Sequence, residues 1–428
     1  MSVELLAVLA LVLLAFGAVS RLAERSIVSA PMVFVALGYA VSGRGLGLLE
    51  CDHAAVIHGL AEITLMLVLF ADAVRIDLSA LRRERSLPLR LLGIGMPLTL
   101  LLGAGVAALL FPDLSTMEWL LIAAILAPTD AALGQAVVSS PLVPLRIRQT
   151  LNVESGLNDG IALPVVLIAA ALAGMQAETN VAADWIRFVA LQVTVGPAVG
   201  IAVGFLSGRA LGAAKARGWL SDGFGRLSIM AVAILAFSAA ELVAGNGFIA
   251  AFTAGATIGN TSRNICGSLF EFGEEEGLLL TLIVFLLFGA TMLPDSLAHL
   301  SLATVGYAFL SLTVIRMIPV ALSLIGSDLR PVSFAFLGWF GPRGLASILF
   351  VLLVVEEMPV THSHEIEAVV AMTVLASTFA HGITAFPFAR RYGEKLKRDR
   401  HLAEVEHADC MTHPVRTAHA AHPGGTST

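Results

Sequence analysis

The sequence predicts an all-α membrane protein, and three observations predict it. Hydrophobic residues make up 57% of the 428 positions and charged residues only 14%, with a mean hydropathy of +0.86, too apolar for a water-soluble globule. Apolar runs of about 20 residues follow one another nearly end to end, long enough as helices to cross about 30 Å of hydrocarbon. These runs lack the polar/apolar alternation that the strands of a membrane barrel carry.

Composition excludes other classes. Cys51, Cys266 and Cys410 are widely separated and form no CxxC pair, which argues against redox chemistry or structural zinc; no cofactor is called for. A formal charge of −6 without a sustained basic stretch argues against nucleic acid.

About thirteen spans are expected, and polar punctuation separates them. Residues 3–19 lack the basic leader of a secretory signal and read as the first span. Arg21 and Arg25 precede the second, 27–41; Arg44 follows it. The third, 54–74, leads to Arg82, Arg83 and Arg85, and the fourth, 87–111, to Asp113 and Glu118. The fifth, 117–138, is followed by Arg146 and Arg148, and the sixth, 151–174, by Glu178 and Asp184. The seventh, 185–210, with Arg187 near its start, ends at Lys215 and Arg217; 220–243 and 248–260 make the eighth and ninth. Glu271 to Glu276 read as a solvated turn before the tenth, 277–293, which Asp295 separates from the eleventh, 297–325. Glu356 and Glu357 separate the twelfth, 331–355, from the last, 366–390, which ends on Arg390 and is followed by Arg391, Lys395 and Lys397. Basic residues thus fall mainly on one side, which predicts an outside N-terminus, a cytoplasmic C-terminus and a multi-pass protein of the inner membrane.

Two six-helix halves around a linking seventh helix would run in opposite orientations, an inverted repeat. The fifth and twelfth spans then correspond, and both are interrupted, by APTDAALG (127–134) and by GPRG (341–344). Two discontinuous helices in matching positions point to a site where they cross near the midplane. Residues 1–392 form the membrane domain, and 393–428 read as a short disordered cytoplasmic tail, in which His407, Cys410 and His413 read as random polar residues.

Charges inside spans are costly, so each should face the interior with a partner or a task. In LNVESGLNDG, Glu154 and Asn158, and likewise Ser155 and Asp159, stand four residues apart and share adjoining stripes of one helix face. Pro128, immediately before Thr129 and Asp130, removes a backbone donor and leaves the carbonyl four residues earlier unpaired. Freed carbonyls, the Thr129 hydroxyl and carboxylates are all oxygen donors, which suit a hard cation, Na⁺ or Li⁺. Arg316 is expected to pair with Glu154 as a structural ion bridge, and Arg343 to neutralise half-helix ends. Asp159 is left as the carboxylate free to change partners, with Asp130 tuning its affinity. A carboxylate in a semi-enclosed cavity loses hydration and so favours a proton or a cation, but hardly both, which is by itself an exchange mechanism. His299 and His381 read as interfacial polar groups.

At these motifs the chain resembles prokaryotic sodium/proton antiporters (NhaP-like) related to the animal sodium/hydrogen exchangers. LAPTDAALG resembles the family's threonine–aspartate motif in its broken fifth helix, and NVESGLNDG its sixth-helix signature; GNGFIAAFTAGATIGN, RMIPV, GPRGLASILF and VLASTFAHGITAFPFAR look like its later helices. The resemblance implies that Asp159 binds the ion, helped by Ser155 and Thr129 and indirectly by Asn158 and Asp130, with Glu154 and Arg316 as the stabilising bridge. Asn158, where electrogenic relatives carry a second Asp, implies electroneutral one-for-one exchange. A homodimer with a core rocking against a dimerisation domain is implied as well. Two positions depart from the pattern: Ala131 stands where the family writes Pro, and Asp72 lies one place after the usual acidic position in the third helix. The same machinery would serve K⁺/H⁺ exchange. A channel would need a carbonyl filter repeat, an intramembrane hydrolase a nucleophile or metal motif, and a sensor an output domain; none is evident.

Overall fold

A computed structural model describes residues 10–18, 20, 27–47, 54–74, 76, 86–130, 133–175, 182–262, 266–357 and 360–399. Among them the architecture is all-helical, with no strand. Residues 10–18 are helical and are followed by α1 (Ala30–Val41), α2 (Ala54–Val74) and α3 (Ser86–Leu110), which contains one π-helical turn at Leu91–Gly95. Next come α4 (Thr116–Ile125), α5 (Gln135–Val138), α6 (Leu145–Met175), α7 (Ala182–Ala216), α8 (Asp222–Glu241), α9 (Gly247–Thr261) and α10 (Cys266–Ala290). The last are α11 (Met292–Ala298), α12 (Leu302–Leu312), α13 (Val314–Ser323), α14 (Pro331–Trp339), α15 (Leu345–Glu357) and α16 (Ser363–Asp399). Among the described residues seven helical stretches are long and apolar enough to cross a membrane, α12 with α13 making one and the later part of α10 with α11 another, and three shorter apolar ones accompany them.

Local chemistry sets several ends. The N-terminus of α4 is a capping box: Ser115 Oγ accepts from the Glu118 N–H at 3.3 Å, and Glu118 accepts from the Ser115 N–H at 2.8 Å. Asn246 and Ser301 cap α9 and α12 through the N–H groups of Ile249 and Thr304. Ahead of Pro128, α4 ends at Ile125, since the residue before proline is pushed out of the helical region.

The helices pack in two groups. In the first, α1, α2 and α7 to α10 approach through small residues. The stripe Gly196, Gly200, Gly204 and Gly208 of α7 lies so close to α9 that an added Cβ would run into the backbone of Asn246, Ala250 and Ala254 and into Ser262. Gly255 and Gly259 of α9 lie against the Phe70 and Val74 carbonyls of α2, and Gly38 of α1 and Gly289 of α10 against the Leu286 and Val35 carbonyls. Between helices in lipid, close backbone approach supplies the dispersion contact that apolar burial cannot. The second group gathers α3, α4, α6 and α12 to α16, with Tyr307 donating from α12 to the Gly103 carbonyl of α3 at 3.3 Å. The groups meet where α2 lies against α6 and α15 and where α7 and α9 lie against α6.

Some boundaries differ from the sequence expectations. The acidic run 271–276 lies within α10 rather than in a turn, in keeping with the good helix propensity of Glu. The last helix continues to Asp399 rather than ending before residue 393, because Tyr392 and Leu396 still bury and Gly393 packs on the Leu142 carbonyl. Residues 400–428, with His407, Cys410 and His413, lie outside the described residues. Arg44 pairs with Asp295 at 3.4 Å, which puts those two connecting segments at one end of the molecule.

Candidate functional site

The two interrupted helices, α4–α5 and α14–α15, cross at their breaks, and each satisfies the other's open ends. After Ile125 the backbone leaves the helix through Asp130, and α5 begins at Gln135; between Trp339 and Leu345 it is again non-helical, with Gly341 N–H turning back to the Trp339 carbonyl at 2.9 Å. Asp130 N–H donates to the Pro342 carbonyl at 2.8 Å, and the Asp130 carboxylate accepts from Leu345 N–H, the first residue of α15, at 2.8 Å. In the other direction, Arg343 Nη1 donates to the Ala127 and Pro128 carbonyls at 2.8 and 3.1 Å. Ser347 Oγ takes the Ile125 carbonyl at 2.7 Å. A carboxylate thus sits at a helix N-terminus and a guanidinium at a helix C-terminus, each opposing the local dipole charge.

The glycines of GPRG explain themselves at this crossing. The place of a Cβ on Gly344 is occupied by the Asp130 carboxylate, and on Gly341 by the Arg316 guanidinium. No other residue leaves that room.

From α6, one helix face meets the first break. Ser155 Oγ donates to the Thr129 carbonyl at 2.5 Å, and Asn158 Nδ2 to the Thr129 hydroxyl at 2.7 Å. One turn from Ser155, Asp159 is 7% exposed, and its Oδ1 makes no hydrogen bond among the described residues; nor does Asn158 Oδ1. Asp72, one residue before Ala73 near the end of α2, and Asp130 stand close enough to Asp159 for like-charge repulsion. The α2 backbone touches α6 here, the Asp72 carbonyl lying 3.7 Å from where a Cβ on Gly156 would be. Hence Asp159, Ser155, Thr129, Asn158 and Asp130 come together, with Asp72 at the edge from the other helix group. Ala131 lies outside the described residues.

Behind this set, Arg316 of α13 pairs with Glu154 through two contacts, Nη1–Oε1 at 2.6 Å and Nη2–Oε2 at 2.8 Å, both residues buried. A two-pronged geometry is what lets a buried pair offset its desolvation. A second ion pair, Arg146–Asp328 at 2.9 Å, ties the start of α6 to the segment ahead of α14.

Three features were not anticipated. His381, expected at an interface, is 1% exposed: its Nε2 bonds to the Trp339 carbonyl at 2.8 Å and its Nδ1 lies 3.1 Å from Ser377 Oγ. Ser377 Oγ in turn accepts the Arg343 N–H at 2.7 Å. The i, i+4 spacing of Ser377 and His381 in an apolar span was the available signal. Third, Glu118 of α4 is buried and accepts from the backbone N–H and ring of His362, each at 3.0 Å, tying α4 to the segment ahead of α16. His299 remains near the surface, stacked on His364 at 5.9 Å.

Comparison with known proteins finds relatives in sequence and in fold. The K(+)/H(+) antiporter NhaP of Alkalimonas amylolytica is 28% identical over 326 residues, covering 75% of this chain and 55% of that protein. The chain spans about half the length of such curated relatives. The Na(+)/H(+) antiporter of Schizosaccharomyces pombe is 28% identical over 351 residues, covering 74% of each. The solved sodium proton antiporter MjNhaP1 of Methanocaldococcus jannaschii superimposes with a TM-score of 0.75 at 20% identity, covering 92% of this chain and 99% of that one, a likeness of fold. The model of the family described as "Sodium/hydrogen exchanger, transmembrane" matches residues 8–391, and this multi-pass membrane chain belongs to that family.

Proposed function

We propose that the chain is a secondary transporter, not an enzyme, that exchanges a monovalent cation, Na⁺ or Li⁺, for H⁺ by alternating access at Asp159. The observation that carries this reading is the buried Asp159, whose Oδ1 makes no hydrogen bond among the described residues, one helical turn from the Ser155 that binds Thr129. Hard oxygen donors take a hard cation. Burial costs a bare carboxylate its hydration, so a cation or a proton on Asp159 is favoured.

Roles follow from the contacts. Asp159 exchanges its proton for the cation; Ser155 and Thr129 lend oxygens; Asn158 positions Thr129. Asp130 holds α15 and tunes the field with Asp72. Glu154 and Arg316 brace α6 against α13, and Arg343 offsets the end of α4. Asn158 brings no charge of its own, so one proton leaves per cation and exchange is electroneutral. The loaded, neutral site then crosses as the second helix group, which carries both breaks, rocks against the first. Thirteen spans in two inverted repeats, a homodimer, an outside N-terminus, a cytoplasmic C-terminus and an inner-membrane location complete the reading, with α16 as the last helix of the transport domain.

A second reading, K⁺/H⁺ exchange by the same residues, is favoured by several relatives that are K(+)/H(+) antiporters. One experiment tests both. Proteoliposomes with an internal pH dye are given a proton gradient and then Na⁺, Li⁺ or K⁺, with and without a clamped potential. Cation-driven pH recovery that is lost in Asp159→Asn and indifferent to the clamp is the expected result. Recovery that persists in Asp159→Asn, or none with any cation in folded wild type, overturns it.

A further inference from the structure

The buried imidazole of α16 touches no ion ligand, yet both halves of the second broken helix hang on it. The Trp339 carbonyl, last of α14, can only accept, so His381 Nε2 carries the hydrogen of their 2.8 Å bond. On its other side, Nδ1 lies 3.1 Å from Ser377 Oγ and 2.9 Å from the Ser377 carbonyl one turn back. In the neutral ring Nδ1 accepts the Ser377 hydroxyl proton, while that hydroxyl's oxygen takes the Arg343 N–H at 2.7 Å. The ring is walled by Trp339 at 5.1 Å and Phe340 at 6.5 Å, and Trp339 is tied again to α16 through Nε1 and the Thr384 hydroxyl at 2.9 Å.

The chain of bonds does not stop at Arg343. Its guanidinium holds the Ala127 and Pro128 carbonyls, and the next residue, Thr129, presents its carbonyl to Ser155 and its hydroxyl to Asn158. We propose that His381 is a positioning residue for the cation site: acting through Ser377 and Arg343, it fixes the span from Trp339 to Arg343 and thereby where Thr129 stands relative to Asp159. His381, Ser377 and Arg343 are all buried to within 1% of full coverage, so water cannot replace a lost partner at low cost. The inference rests on the exchange reading above.

The test uses the full chain in proteoliposomes and reads the apparent cation KM separately from maximal rate, with thermal stability in detergent alongside. Four variants are compared with wild type. His381→Phe keeps a flat ring but makes neither bond. His381→Gln puts an amide N–H near the Nε2 position, and His381→Asn an oxygen near Nδ1. Ser377→Ala cuts the link to Arg343 with little change in volume.

The expected result is a KM raised about five- to tenfold in His381→Phe and Ser377→Ala, the loss of about one net hydrogen bond, with maximal rate within about twofold of wild type. His381→Gln and His381→Asn each recover part of the shift. A wild-type KM in folded His381→Phe or Ser377→Ala overturns the proposal, as does a fall in maximal rate alone. Failure of both variants to fold assigns the pair a structural role only and also overturns it. If wild type itself exchanges no cation, the exchange reading fails first, and that outcome is distinct from all of these.

Discussion

The Asp130 carboxylate accepts the Leu345 N–H at 2.8 Å, so a residue of the first broken helix caps the second half of the other. Asp130 is thereby part of the crossing before it is part of any ion site. An Asn at 130 can still accept this bond, whereas Ala cannot. Melting temperatures in detergent should therefore rank wild type above Asp130→Asn above Asp130→Ala, the last losing about 1–2 kcal/mol, the range of a lost cap with its dipole contribution.

Glu154 and Arg316 are buried together, and removing one strands the other. Glu154→Gln or Arg316→Gln alone should destabilise by about 3–5 kcal/mol. The double variant should be more stable than either single one, and a double-mutant cycle of thermal unfolding measures the coupling. Equal additive losses would show that the pair does not act as one.

Gly341 and Gly344 are predicted to be intolerant of one methyl group. Gly344→Ala drives a Cβ into Asp130 and Gly341→Ala into Arg316, whereas Gly306 of α12 has nothing within 4 Å of its Cβ position. The first two should lose stability and transport together, by about 1–3 kcal/mol for forced overpacking. Gly306→Ala should match wild type in both measurements.

Thr129→Val removes the hydroxyl that accepts from Asn158 Nδ2 and leaves that donor buried without it. The apparent cation KM should rise about tenfold, while Thr129→Ser should stay near wild type. Flux into proteoliposomes at graded cation concentrations separates the two.

If proton and cation compete for Asp159, protonation removes the cation's site. The apparent cation KM should therefore rise as pH falls, approaching about tenfold per pH unit at the acid end, and level off at alkaline pH. Maximal rate at saturating cation should change far less. A KM that is flat across pH would contradict competition for one carboxylate.

Much of the site was legible in the chain. Asp159 and Asn158, each four residues from a polar partner, and Arg316 within RMIPV are charged or polar groups that lipid cannot accept, so burial against one another follows from composition and period. The Arg343 reading also needed only the GPRG interruption. What the chain did not reveal was depth and partnership. His381 lies in a span as apolar as its neighbours, and hydropathy alone cannot tell a histidine at the interface from one between Trp339 and Ser377. The end of α16 was misplaced for a similar reason: the polar run after Tyr392 looks solvated until Leu396 is seen to pack.

By itself, then, the sequence determined the helical membrane class, the places where helices break and the charges that must hide from lipid. Transfer into hydrocarbon and backbone propensity are local quantities that sum along a segment. Only the tertiary structure decided that Asp130 caps α15, that Arg343 reaches the Ala127 and Pro128 carbonyls, and that His381 stands behind both. A hydrogen bond exists or fails within a few tenths of an ångström, and that distance is set by how segments about two hundred residues apart come together, which no local sum along the chain contains.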